Sequence, residues 1–133
     1  MNPTPSIILN AFNDQLSELF IDITNIFPDN IDIKTAQNTL SLIRKANPKM
    51  IVKIWQKYIV DKYGDKFDSN DISFFIEKDY NEDLNNTDQP TKIMDAIDRL
   101  RDPIKNMNLS NQAKTMKYLQ NLKKLCCMYH QLC

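Results

Sequence analysis

Among 133 residues only Gly64 is a glycine. Glycine supplies the positive φ of tight turns and lets a backbone approach a phosphate closely. A chain with a single glycine cannot build a glycine-rich nucleotide loop, of either the dinucleotide or the P-loop kind. Six prolines are the only other strong breakers. Such a chain is suited to long helices joined by few turns. Its length is that of one domain with one modest core. A hydrophobic content of 42% sets it apart from disordered chains.

The apolar spacing agrees with helices. Phe12, Leu16, Leu19, Phe20, Ile23, Ile26 and Phe27 recur at three and four residues, as on one helix face. Pro28 ends this segment. Asp29 or Asp32 is placed to cap a second helix, running to about Ala46 and carrying Ile33, Ala36, Leu40 and Ile43. Asn47-Pro48 reads as a cap followed by proline at the first helical position. A third helix then turns Met50, Ile51, Ile54, Trp55, Tyr58 and Ile59 inward, and Gly64 stands where a left-handed stop is expected.

Periodicity does not decide between strand and helix over residues 71–78. Residues 81–90 are polar and read as a loop, and residues 1–6 as a flexible N-terminus. Farther on, Ile93, Ile97, Leu100, Ile104 and Met107 are spaced 4-3-4-3, and Tyr118, Leu122, Leu125, Tyr129 and Leu132 repeat the pattern. These seams predict a helical hairpin turning near Asn108-Leu109-Ser110, with Pro103 forcing a kink or a fresh start capped by Asp102. The expected fold is all-α: a compact single-domain bundle of five or six helices over residues 1–133. Its core is expected around Phe12, Leu16, Phe20, Leu40, Ile54, Trp55, Tyr58, Leu119 and Leu122.

Charge is balanced overall, with 17 basic and 17 acidic residues, yet strongly patterned. Residues 1–33 carry net −5, 34–66 net +6, 67–98 net −7 and 99–133 net +6. Asp14, Glu18 and Asp22 form a stripe at steps of four, as do Lys49, Lys53 and Lys57. Like charges so spaced cost a helix roughly 0.2–0.5 kcal/mol per pair, so each stripe gains from an opposite surface. After Asp102 no acid follows, while Lys114, Lys117, Lys123 and Lys124 accumulate. Two candidate interaction faces result. The basic one comprises Lys49, Lys53, Lys57, Lys114, Lys117, Lys123 and Lys124. The acidic one comprises Asp14, Glu18, Asp22, Glu77, Asp79, Glu82 and Asp83.

Catalytic and metal chemistry find little to stand on. Cys126, His130 and Cys133 share one helix face at i, i+4 and i+7, but one helix supplies only part of a zinc tetrahedron and no second Cys pair lies upstream. Cys126 or Cys127 with His130 lacks the orienting third group and the cleft of a cysteine nucleophile. Asp79-Tyr80-Asn81-Glu82-Asp83 starts like a calcium loop, yet Leu84 stands where glycine is needed and Pro90 where the closing glutamate belongs. No catalytic, cofactor or metal residue is assigned. Trp55, Phe74, Phe75 and Tyr80 are aromatic enough to stack on bases, with core packing the competing use.

No stretch is apolar over the roughly 20 residues that a membrane span requires, and the N-terminus lacks a secretory pattern. Three cysteines within the last eight residues suit a reducing compartment.

The strings Arg44-Lys-Ala-Asn-Pro-Lys49, Trp55-Gln-Lys-Tyr58, Asp71-Ile-Ser-Phe-Phe-Ile-Glu-Lys-Asp-Tyr80 and Tyr118-Leu-Gln-Asn-Leu122 resemble a family of short uncharacterised proteins of large nucleocytoplasmic DNA viruses, mimivirus- or phycodnavirus-like. The resemblance spans about residues 12–130. The richness in Ile, Asn, Lys and Asp, at 16, 15, 14 and 14 residues, fits an AT-rich genome of that kind. The resemblance implies a virion component, a minor capsid or internal particle protein, located in the virion or host cytoplasm and not secreted. It carries no functional residue. The expected function is non-enzymatic, through contacts with capsid or core proteins. The alternative is a nucleic-acid-associated factor with lysine-rich helix faces on phosphates.

Overall fold

The computed structural model describes residues 4–69, 72–77 and 91–132, and every element among them is helical. Helix α1 spans Pro5–Ile26. It reaches back into the stretch read as a flexible N-terminus, because the Thr4 hydroxyl accepts from Ile7 N–H at 3.3 Å and Pro5 takes a position where its missing N–H costs nothing. Helix α2 spans Ile31–Ala46. Its cap is Asn30, whose side-chain oxygen accepts from Ile33 N–H at 3.1 Å, and not Asp29 or Asp32. Asn47 ends α2 rather than capping the next helix, and its N–H donates to Ile43 O.

Helix α3, Met50–Trp55, runs without a break into a π turn, Gln56–Val60, a short α4, Asp61–Tyr63, and a 3₁₀ stretch, Gly64–Ser69. Ile51, Trp55, Ile59, Tyr63 and Phe67 are all buried along this run. The row advances by four residues at each step. In an α-helix four residues overshoot one turn by about 40°, so the row would drift away from the core. The wider π turn rotates it back. Ile54 and Tyr58 are only partly buried at the core's edge, in place of the central role expected for them, and Met50, also expected inward, is exposed, because α3 turns Ile51, Val52 and Trp55 to the core. Gly64 has φ −47° and ψ −46°. It is an ordinary right-handed residue, and the expected left-handed stop is absent because the chain tightens instead of reversing.

Ser73–Ile76 form one helical turn, α5, which resolves the strand-or-helix question over the described part of 71–78. The 81–90 segment read as a loop lies outside the described residues. Helix α6, Thr91–Asp98, is followed by α7, Arg101–Lys105, and α8, Leu109–Leu132. Pro103 sits in the first turn of α7, where its missing N–H needs no partner. The residue at the cap is Leu100, without a side-chain cap bond, and not Asp102.

The fold is a compact all-α bundle, and its chain turns at 106–108 into the closing arm of the hairpin. That arm, α8, packs most extensively on α1, while α6 packs on α2. Of the core expected from sequence, Phe12, Leu16, Phe20, Leu40, Trp55, Leu119 and Leu122 are buried, as is the whole row Ile93, Ile97, Leu100, Ile104 and Met107. Phe12 meets Trp55 edge-on at 6.0 Å. On α8 the buried row is Thr115, Met116, Leu119, Leu122, Cys126 and Tyr129, with Tyr118 and Leu125 at its flanks. Asn13 Nδ2 donates to Pro48 O at 3.1 Å and ties α1 to the link between α2 and α3.

Candidate interaction surfaces

The acidic stripe of α1 is engaged within the molecule. Asp14 accepts from Arg44 Nη2 of α2 at 2.8 Å. Glu18 accepts from Gln15 at 3.4 Å. Asp22 accepts from the Tyr118 hydroxyl of α8 at 2.5 Å. That hydrogen bond, then burial, then the charges of Asp22 and Glu18 push the Tyr118 phenol up to about 12. The stripe therefore meets Arg44 and Tyr118, not the lysine stripe of α3. Of the other acids on the candidate face, Glu77 is exposed after α5, and Asp79, Glu82 and Asp83 lie outside the described residues.

The lysines divide into two kinds. Lys49, Lys53 and Lys57 are exposed at the start of α3 and into the π turn, with Lys57 Nζ 5.3 Å from the Tyr58 ring centroid. Lys114, Lys117 and Lys124 are exposed along α8. None of these three forms an ion pair with a described acid. Lys123 differs. Helix α8 runs antiparallel to the 52–67 stretch: Cys126 lies against Val52, Lys123 against Gly64 and Gln120 against Phe67. Lys123 Nζ donates to Gly64 O at 2.9 Å and sits 5.7 Å from the Phe67 ring centroid. It belongs to the seam between helices. Helical phase carries the signal for this, because Lys123 stands four residues after Leu119 and three before Cys126, both in the buried row.

The thiol cluster is a packing feature. Cys126 is buried, and its Sγ lies 3.5 Å from Val52 O, 3.3 Å from Gln56 Oε1 and 3.7 Å from His130 Nδ1. Burial first, then Cys127 and Asp61, push its thiol up to about 12. A thiol held protonated by burial is a poor nucleophile at neutral pH. Cys126 and His130 do share a face, but His130 Nδ1 is 2.7 Å from Cys126 O, so the carbonyl occupies that ring nitrogen. Among the described residues no group of three His, Cys, Asp or Glu side chains converges as a metal site would require. Cys133 and the calcium-like 79–83 string lie outside them. Gln56 completes the local network by donating to Asp61 at 2.7 Å across the π turn.

Trp55, Phe74 and Phe75 are all buried, so none offers a face for base stacking. Tyr80 lies outside the described residues. Arg101 is a residue that composition alone would place outside. It is 7% exposed, donates to Asp98 at 2.8 Å, and bonds the carbonyls of Phe75 and Glu77. A groove of about 510 Å³ beside it is lined by side chains of both signs, including Glu77, Asp102 and Lys105. A smaller slot of about 200 Å³ opens between α1 and α8, beside Lys114. Among the described residues no helix is long and apolar enough to cross a membrane. Comparison with protein-family models, with curated proteins and with solved structures finds no match to the chain.

Proposed function

We propose that the protein is a non-enzymatic interaction protein that docks its α8 lysines on an acidic protein partner within a viral particle. One observation carries the reading. The acids of α1 are engaged internally, while Lys114, Lys117 and Lys124 stand exposed on a helix that contains no acid and pair with no described carboxylate. Uncompensated like charge on one helix is unfavourable alone and favourable against an opposite surface. The viral setting rests on the sequence strings and their resemblance. The nucleic-acid alternative draws on the same lysines, but burial withholds Trp55, Phe74 and Phe75 from base stacking.

Zero-length carbodiimide cross-linking of purified particles tests this directly. The expected result is amide bonds from Lys114, Lys117 or Lys124 to carboxylates of another particle protein. Abundance of the chain in infected cells together with its absence from particles overturns the proposal.

A further inference from the structure

The slot between α1 and α8 has an apolar floor. Leu19 and Ile23 of α1 and Met107 are each buried, and together they line it. Its volume, about 200 Å³, is several times the roughly 30 Å³ share of one water molecule, enough to receive a branched aliphatic side chain. Ile26 lines it while 36% exposed. Ile26 thus continues the buried floor of Leu19, Ile23 and Met107 out to the surface, as the rim of an apolar recess open to a partner. The polar rim divides its charge between the two helices. Lys114, with Lys117 one turn later, stands on the α8 side without a described acidic partner, and Asp22 on the α1 side keeps its negative charge while accepting from the Tyr118 hydroxyl at 2.5 Å.

We infer that this slot is the anchor pocket of the docking surface and that its occupant is an amphipathic helical segment of a partner protein, one aliphatic residue flanked by Asp or Glu. The aliphatic residue enters between Leu19, Ile23 and Met107, and the flanking carboxylates meet Lys114 and Lys117. A central apolar anchor ringed by charge is the usual division between affinity and orientation in a helix-in-groove contact. The inference rests on the proposed protein-docking role and names the chemistry of the partner. A phosphate backbone would use the lysines and leave the slot empty.

The probes are a fluorescein-labelled amphipathic helical peptide, with one leucine flanked a turn on either side by glutamates, its Leu→Ala counterpart, and single-stranded oligothymidine. The full chain is titrated against each by fluorescence polarisation. Asn111 lines the slot from the partly exposed side of α8, so Asn111→Trp fills it without entering the core, and circular dichroism checks that the variant stays folded. Expected is saturable binding of the leucine peptide, weakened about ten- to hundredfold by Leu→Ala or by Asn111→Trp, as loss of one buried aliphatic side chain implies. Lys114→Glu with Lys117→Glu weakens it further and removes its salt dependence. Equal binding of the leucine and alanine peptides, indifference to Asn111→Trp, absence of peptide binding, or binding of oligothymidine in place of the peptide each overturns the inference. The particle cross-linking result stands apart, because lysine-to-carboxylate adducts form whether or not the slot is filled.

Discussion

The Tyr118 hydroxyl on α8 donates a 2.5 Å hydrogen bond to Asp22 on α1, joining residues 96 positions apart in sequence. The bond clamps the two helices that pack most extensively on one another. It holds the phenol protonated up to about 12, against an ordinary value near 10. A proton bound more tightly in the folded state stabilises that state fully below the unfolded pKa and is lost through the folded one. Stability therefore declines as pH rises from about 10 to about 12. Spectrophotometric titration should show a late-ionising tyrosine component that Tyr118→Phe removes. The same variant should cost about 1 kcal/mol in denaturant unfolding, the modest worth of a partly exposed hydrogen bond.

Leu122 is 0% exposed in the middle of α8, and Leu42 is 66% exposed on α2. Removing the buried side chain loses its transfer free energy and leaves a cavity. Leu122→Ala should cost about 2–5 kcal/mol in urea unfolding, whereas Leu42→Ala should stay within roughly 0.5 kcal/mol.

These two leucines also show what the sequence made legible. Leu122 stands in a repeating 4-3 pattern that only a helix buries, and Ile93 through Met107 stand in another. The class of fold and most of its core followed from such patterns. The inner face of the third helix followed only in part: Ile51, Trp55 and Ile59 are buried, Met50 and Ile54 fall to the side of the face that Val52 joins, and the π turn at Gln56–Val60, which no residue type announces, changes the helical phase beyond it. Residue type placed Lys123 on an outer face, and residue type gives no sign of the burial of Arg101 either. Both lie in phase with buried neighbours, and each finds backbone carbonyls that make burial tolerable. The slot beside Lys114 joins residues of α1 and α8 far apart in the chain, so no local pattern could show it.

Cys126 and Cys127 are adjacent yet face different surroundings. Cys126 is buried with its thiol pushed up to about 12, and Cys127 is half-buried. Thiolate is the species that alkylates. Iodoacetamide at pH 8 should label Cys127 while Cys126 stays unmodified until the chain is unfolded, as peptide mass spectrometry would show. Early labelling of Cys126 would contradict its place in the core.

Arg101 ties α7 to the end of α6 through Asp98 and to α5 and the residue after it through the carbonyls of Phe75 and Glu77, and its guanidinium lies 5.1 Å from the Phe75 ring centroid. Replacing it removes the ion pair from Asp98, whose side chain is 17% exposed, and the donor to the two carbonyls. Breaking one side of a buried pair typically costs about 3–5 kcal/mol. Arg101→Gln should fall near the lower end, because the amide recovers one hydrogen bond. Arg101→Leu should cost more. Denaturant unfolding of the two variants gives the comparison, and an effect within experimental error for both would remove Arg101 from the stabilising network.

Gly64 offers a change in the opposite direction. Its φ and ψ are those of a right-handed helix, and a Cβ built there would meet nothing within 4 Å. The bond from Lys123 goes to the backbone oxygen, so a methyl group leaves it intact. Glycine in such a conformation is destabilising mainly through the entropy of the unfolded chain. Gly64→Ala should therefore raise stability by about 0.4–1 kcal/mol. Thermal unfolding followed by circular dichroism checks this, and a lowered midpoint would mean that the residue takes up a left-handed conformation in solution, with the long helical run ending there after all.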